Sequence, residues 1–119
     1  MTDTTTTAPS PHQCLSLVLP DASAQTVIDW LLGHDDGRTE FSVQRIEARG
    51  PMVPLSSGDE QVLGYARRAQ ITLLLPASAL APLLAELAPL LANVSWGHWV
   101  MPVSQLAVHH PATPAQGVA

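Results

Sequence analysis

The chain has 119 residues, 46% of them hydrophobic and 13% charged, which suits one small packed domain and leaves no room for two. Five arginines, no lysine and ten acidic residues give a formal charge of -5; phosphate neutralisation needs clustered cations, so nucleic acid is excluded as a partner. One cysteine, Cys14, rules out a disulfide framework and fits a reducing compartment. Met1 to Ser10 is Thr-rich with no apolar core, so it reads as no signal peptide. The leucine-rich run Leu80 to Leu91 is broken by Pro82, Glu86 and Pro89 and falls short of the roughly 20 residues of a membrane span. The expectation is a soluble, cytoplasmic protein with no direct membrane insertion.

Residues 1–12 carry little apolar surface to offset the entropy of ordering and are predicted to be a disordered tail. Residues 104–119, with Pro111, Pro114 and Gly117, are predicted to be a second, flexible tail, leaving 13–103 for the fold. Cys14 to Leu19 alternates, with Leu15, Leu17 and Leu19 on one face, and predicts a strand ended by Pro20. Asp21 or Ser23 then caps a helix in which Ala24, Val27, Ile28, Leu31 and Leu32 recur at helical spacing, with Gly33 placed for a left-handed C-terminal residue. After the polar turn His34 to Arg38, Thr39 to Ala48 predicts a second strand, but Ile46 is out of phase with Phe41 and Val43. A bulge near Gln44 and Arg45 restores the alternation. Gly50 to Gly58 reads as a loop.

A third strand follows from Tyr65, with Ala69, Ile71, Leu73 and Leu75 on one face and Pro76 as its stop. Ser78 can cap a second helix with a stripe of Leu80, Leu83, Leu84, Leu87, Leu90 and Leu91, which Pro89 kinks or ends. Val94 to Met101 alternates as a last strand. The order βαββαβ predicts an α+β, ferredoxin-like fold, a four-stranded antiparallel sheet with both helices on one face. The other face then exposes Val18, Leu74 and a tryptophan-bearing face of the last strand, an apolar surface that another copy of the chain would cover. A homo-oligomer is expected.

No nucleophile elbow, Walker-type loop, GxGxxG or CxxC is present, so the sequence predicts no enzyme. His12, His109 and His110 fall in the predicted tails, and His34 follows a helix end. His98, mid-strand between two tryptophans, is the metal candidate, with Cys14 as a second donor if the outer strands pair. The most informative stretch is Leu55 to Arg68, where Gly64 permits a positive φ and Arg67 and Arg68 point to opposite faces. An arginine at a strand entrance is either an anion holder, through its planar fork of donors, or a partner of Asp59, Glu60 or Glu47 in a salt bridge.

Five stretches in order resemble a family of short bacterial proteins of unknown function, similar to the PII nitrogen-regulatory proteins and typically encoded beside heavy-metal efflux pumps of the resistance-nodulation-division class. They are Asp29-Trp30-Leu31-Leu32, Phe41-Ser42, Leu55-Ser56, Glu60-Gln61-Val62-x-Gly64-x-x-Arg67-Arg68 and Trp99-Val100-x-Pro102-Val103. The resemblance implies a homotrimeric PII-like signalling protein whose loop between the second and third strands, Gly50 to Gly64 here, responds to a small effector bound between subunits. The effector would be a small ligand, an adenine nucleotide or a metal ion, held by Glu60, Gln61, Gly64, Arg67 and Arg68 at the base of that loop, and the partner the cytoplasmic face of the efflux pump. The alternative is a trimer similar to the CutA-type divalent-cation tolerance proteins, binding a divalent or monovalent transition metal ion through His98, with Cys14 as the lesser candidate.

Overall fold

The computed structural model describes residues 4–9, 11–50 and 58–112. Its strands are β1 (Thr4–Pro9), β2 (His12–Pro20), β3 (Phe41–Ala48), β4 (Ala66–Pro76), β5 (Gly97–Pro102) and β6 (Gln105–His110). Its α-helices are α1 (Ala24–Gly33), α2 (Gly58–Leu63) and α3 (Ala77–Leu87). Strands β3, β4, β2 and β5 lie in that order in one antiparallel sheet. With α1 and α3 as crossovers, this is the expected ferredoxin-like arrangement.

The core follows from the period-two pattern of the two central strands. Leu15, Leu17 and Leu19 of β2 pair with Leu73, Ile71 and Ala69 of β4, and all six are fully buried. Val27 and Leu31 of α1 and Leu83 and Leu87 of α3 close the same cluster, so both helices cover this one face. Each such leucine contributes about 1.5–3 kcal/mol by leaving water. Against the same core, Val94, Trp96 and Val100 pack from β5 and the turn before it. Pro89 acts as expected: α3 stops at Leu87 and a tighter 3-10 turn, Ala88–Leu91, carries the last leucine inward.

The opposite face carries Cys14, Ser16 and Val18 of β2, paired with Met101, Trp99 and Gly97 of β5. Trp99, Met101 and Leu74 are 46%, 53% and 39% exposed, so this face is open and apolar as the sequence predicts.

Five expectations are corrected. The register of β3 against β4 runs unbroken from Phe41 to Ala48, with no bulge at Gln44 or Arg45. Ile46, opposite Arg68, therefore lies on the open face, where it finds apolar cover beside Val18. The residues predicted as tails hold β1 and β6, which pair with each other in a two-stranded ribbon from Thr4↔His110 to Pro9↔Gln105; the β-branched threonines of 4–7 favour this extended pairing over the coil that their polarity suggests. Gly33 is not left-handed (φ -96°); that conformation falls on Asp35, Asp36 and Gly37 (φ 52°, 55° and 80°), and Arg38 pairs with both aspartates. Neither Asp21 nor Ser23 caps α1 with its side chain, and α3 begins at Ala77 behind Pro76 rather than at Ser78.

Candidate functional site

The site is built where β4 begins. Strand alternation sends the side chains of Arg67 and Arg68 to opposite faces. Arg67, opposite Glu47, is exposed, whereas Arg68, opposite Ile46 and Pro20, is only 4% exposed. A guanidinium keeps its charge in any protein environment, so burying it demands an anion.

Glu60 supplies that anion. It lies in α2, a six-residue helix where the sequence predicts loop, and the chain reverses after it at Gly64, whose φ of +77° favours glycine. The Gly64 N–H donates to the Glu60 carbonyl at 2.8 Å, closing the helix end. This turn lays Glu60 back on the start of β4. One of its oxygens, Oε2, accepts the Arg67 N–H at 3.0 Å and stands 3.6 Å from Arg68 Nη1. The same Nη1 donates to the Arg67 carbonyl at 3.1 Å. Of the salt-bridge partners weighed from sequence, Glu60 pairs with Arg68, and one carboxylate oxygen ties α2 to both the backbone and the charge of β4.

Arg68 forms part of the wall of a 410 Å³ cavity on the open sheet face. Val18, Ile46, Ala48, Gln70 and Trp99 share that cavity, and the strand registers place all of them on the same face as Arg68. Gly97 also borders it; a Cβ built there meets no atom within 4 Å, so the missing side chain is part of the open space. Chemically the cavity offers one guanidinium, a neutral amide, two indoles, the His98 imidazole and the Ser95 hydroxyl beside aliphatic walls. That combination suits a small ligand with one anionic end and an apolar body.

Of the residues predicted to bind an effector, Glu60 and Arg68 are brought together, Gly64 makes the turn that allows it, and Arg67 contributes its backbone N–H. Gln61 is exposed on α2. Leu55 and Ser56, within the predicted responsive loop, lie outside the described residues. Sequence reasoning missed Val18, Ile46, Gln70, Gly97 and Trp99 as lining; their shared face with Arg68 becomes visible only once the strand registers are known.

The metal candidates are not brought together within one chain. Cys14 sits opposite Met101 and Leu74, on the open face, whereas His98 sits opposite Leu17 on the helix side of the sheet and stacks on Trp96 at 5.7 Å between ring centroids. Among the described residues no three His, Cys, Asp or Glu side chains converge as a metal site would require. His12 and His34 border a separate 700 Å³ cavity near the start of α3, and His34 Nδ1 is hydrogen-bonded with Thr39 Oγ1 at 2.7 Å. No helix among the described residues is long and apolar enough to cross a membrane.

The fold is similar to that of solved PII-like proteins. The apo form of CPII, a nitrogen regulatory PII-like protein from Thiomonas intermedia K12, is similar to it with a TM-score of 0.56 at 17% identity, covering 91% of this chain and 100% of that one. CPII bound to ADP, AMP and bicarbonate gives 0.57 at 17% identity, over 87% and 96%. The sequence goes further: residues 9–108 match the family described as "Protein of unknown function (DUF3240)", and the chain belongs to that family. A DUF3240 family protein from Shewanella baltica OS155 has a crystal structure similar to this one, with a TM-score of 0.63 at 22% identity, over 79% of this chain and 91% of that one. Among curated protein sequences, none matches.

Proposed function

We propose that this chain is a non-enzymatic, homotrimeric PII-like regulatory protein that binds a small anionic effector in the Arg68 cavity and responds through residues 50–64. One observation carries this reading. The Glu60 oxygen that pairs with the buried Arg68 also accepts the Arg67 N–H, so an anion arriving at the guanidinium competes for the contact that holds α2 on the start of β4. A ligand shifts the two loop states only by its difference in affinity for them, about tenfold per 1.4 kcal/mol.

Other features are consistent with this. CPII, which shares the fold, is bound to anions in its described complexes, namely ADP, AMP and bicarbonate. The open face with Leu74, Trp99 and Met101 offers apolar area for trimer contacts, which would set the cavity beside a neighbouring subunit. Val62 and Leu63 of α2 are 88% and 43% exposed and offer the moving segment a surface for a partner. Following the sequence resemblance, the partner we propose is the cytoplasmic face of a heavy-metal efflux pump.

Hydrogen–deuterium exchange tests the reading. Bicarbonate, acetate, AMP and ADP are added in turn to the full chain, and peptides spanning 50–68 are followed. The proposal predicts that at least one of the four changes exchange there in the wild type and leaves Arg68→Gln unmoved. Unchanged exchange with all four, or the same change in Arg68→Gln, refutes it.

A further inference from the structure

We infer that the effector is an organic monocarboxylate with an apolar body, and that it binds by taking the place of Glu60 on Arg68. The inference rests on the reading of this cavity as the effector site and narrows it to one chemical class.

The first argument is what already occupies the guanidinium. Glu60 presents a carboxylate to Arg68, and a ligand carboxylate offers the same planar, two-oxygen edge to the same fork of donors. Exchange is therefore like for like: the buried charge keeps a partner, and the ligand's own carboxylate is neutralised by the group that Glu60 leaves.

The second argument is charge. Among the described residues bordering the cavity, Arg68 is the one arginine, and the His98 imidazole borders it as well. The other four arginines are placed elsewhere: Arg38 pairs with Asp35 and Asp36, Arg45 with Asp21, Arg49 lies over the Tyr65 ring, and Arg67 is exposed on the other face. One guanidinium balances one negative charge. A polyphosphate would bring further charges into an apolar enclosure, at a cost of several kcal/mol for each ion without a partner.

The third argument is shape. Val18, Ile46 and Trp99 form walls, and Gly97 leaves room between them. An inorganic anion would satisfy Arg68 and leave that apolar space unfilled, whereas a ring or short aliphatic body would fill it. When Glu60 is displaced, the Arg67 N–H loses its acceptor and α2 loses its hold on β4. Binding is thereby converted into release of α2.

Calorimetric titration of the full chain with benzoate, its neutral isostere benzamide, and ADP tests this. Benzoate is expected to bind, and benzamide at least tenfold more weakly. Glu60→Gln should bind benzoate at least fivefold more tightly, because its neutral amide no longer competes for Arg68. Gly97→Leu, which puts an apolar side chain into that space from β5, should lose at least tenfold in affinity with an unchanged circular dichroism spectrum. Benzamide binding as well as benzoate, or Glu60→Gln weakening benzoate, overturns the exchange. ADP binding that depends on Arg68 while benzoate is silent overturns the monocarboxylate class and leaves the effector-site reading standing. Unmoved exchange over 50–68 with all four anions removes the reading itself.

Discussion

Replacing Glu60 by leucine removes one partner from a charge pair whose side chains are 10% and 4% exposed. Two losses follow from the geometry. Arg68 keeps its charge in a place water barely reaches, and removing one member of a buried charge pair costs about 3–5 kcal/mol. The Arg67 N–H loses a 3.0 Å bond to a charged acceptor, a contact worth about 1.5–3 kcal/mol. The two overlap, because one oxygen serves both, so a total near 4 kcal/mol is expected, a large part of the roughly 5–15 kcal/mol that holds a domain folded. Arg68→Met should cost about 3 kcal/mol, and the double variant less than the sum of the singles by at least 2 kcal/mol, since no lone charge is then buried. Urea unfolding of all four proteins at one fixed protomer concentration measures this. Single losses below about 1 kcal/mol, with additive effects, would mean that the pair behaves as a solvent-screened surface contact and would refute the reasoning.

Gly64→Ala forces a side chain into the left-handed region at φ +77° and should lower stability by about 1–2 kcal/mol, read as a fall in melting temperature, with Gly64→Asn recovering part of it. Leu17→Ala opens a void in a fully buried position and should cost about 2–5 kcal/mol; denaturant titration checks it. Met101→Glu places a charge on the open face beside Cys14 and should convert the proposed trimer to monomer in light scattering while leaving the far-ultraviolet spectrum unchanged. His98→Ala removes a single stacked ring contact with Trp96 and should change stability by less than about 1.5 kcal/mol, in the same unfolding assay.

How much of this could be read in advance differs by element. The leucines at 15, 17 and 19 and their counterparts in β4 announce two half-buried strands through period alone, and the two leucine-rich helices complete a βαββαβ order. Ile46 shows the limit. Its phase with Phe41 and Val43 looked like an error to be repaired by a bulge, because the local pattern assumes that apolar means inward. The second face has its own apolar enclosure, and only pairing with Arg68 reveals that Ile46 belongs to it. The site was half legible for the same reason. A glycine and two arginines at a strand entrance carry a local signal, and Glu60 stood among the acids nearby. That Glu60 rather than Asp59 or Glu47 meets the buried arginine depends on the three-dimensional turn at Gly64. The walls of the cavity come from all four strands of the sheet, so no spacing along the chain could assemble them. Cys14 and His98 are the converse case: both sit on adjacent strands, as the idea of a shared metal required, but an odd offset in register puts them on opposite faces.

The central claim is that a copy-closed sheet face holds a ligand cavity at Arg68. Native mass spectrometry of the full chain with benzoate or ADP, on the wild type and on Gly97→Leu, addresses it most directly. The account predicts a trimer that adds up to one ligand per protomer in the wild type and none in Gly97→Leu. A monomer in every condition, a wild-type spectrum with no added ligand, or equal ligand uptake by Gly97→Leu would contradict it.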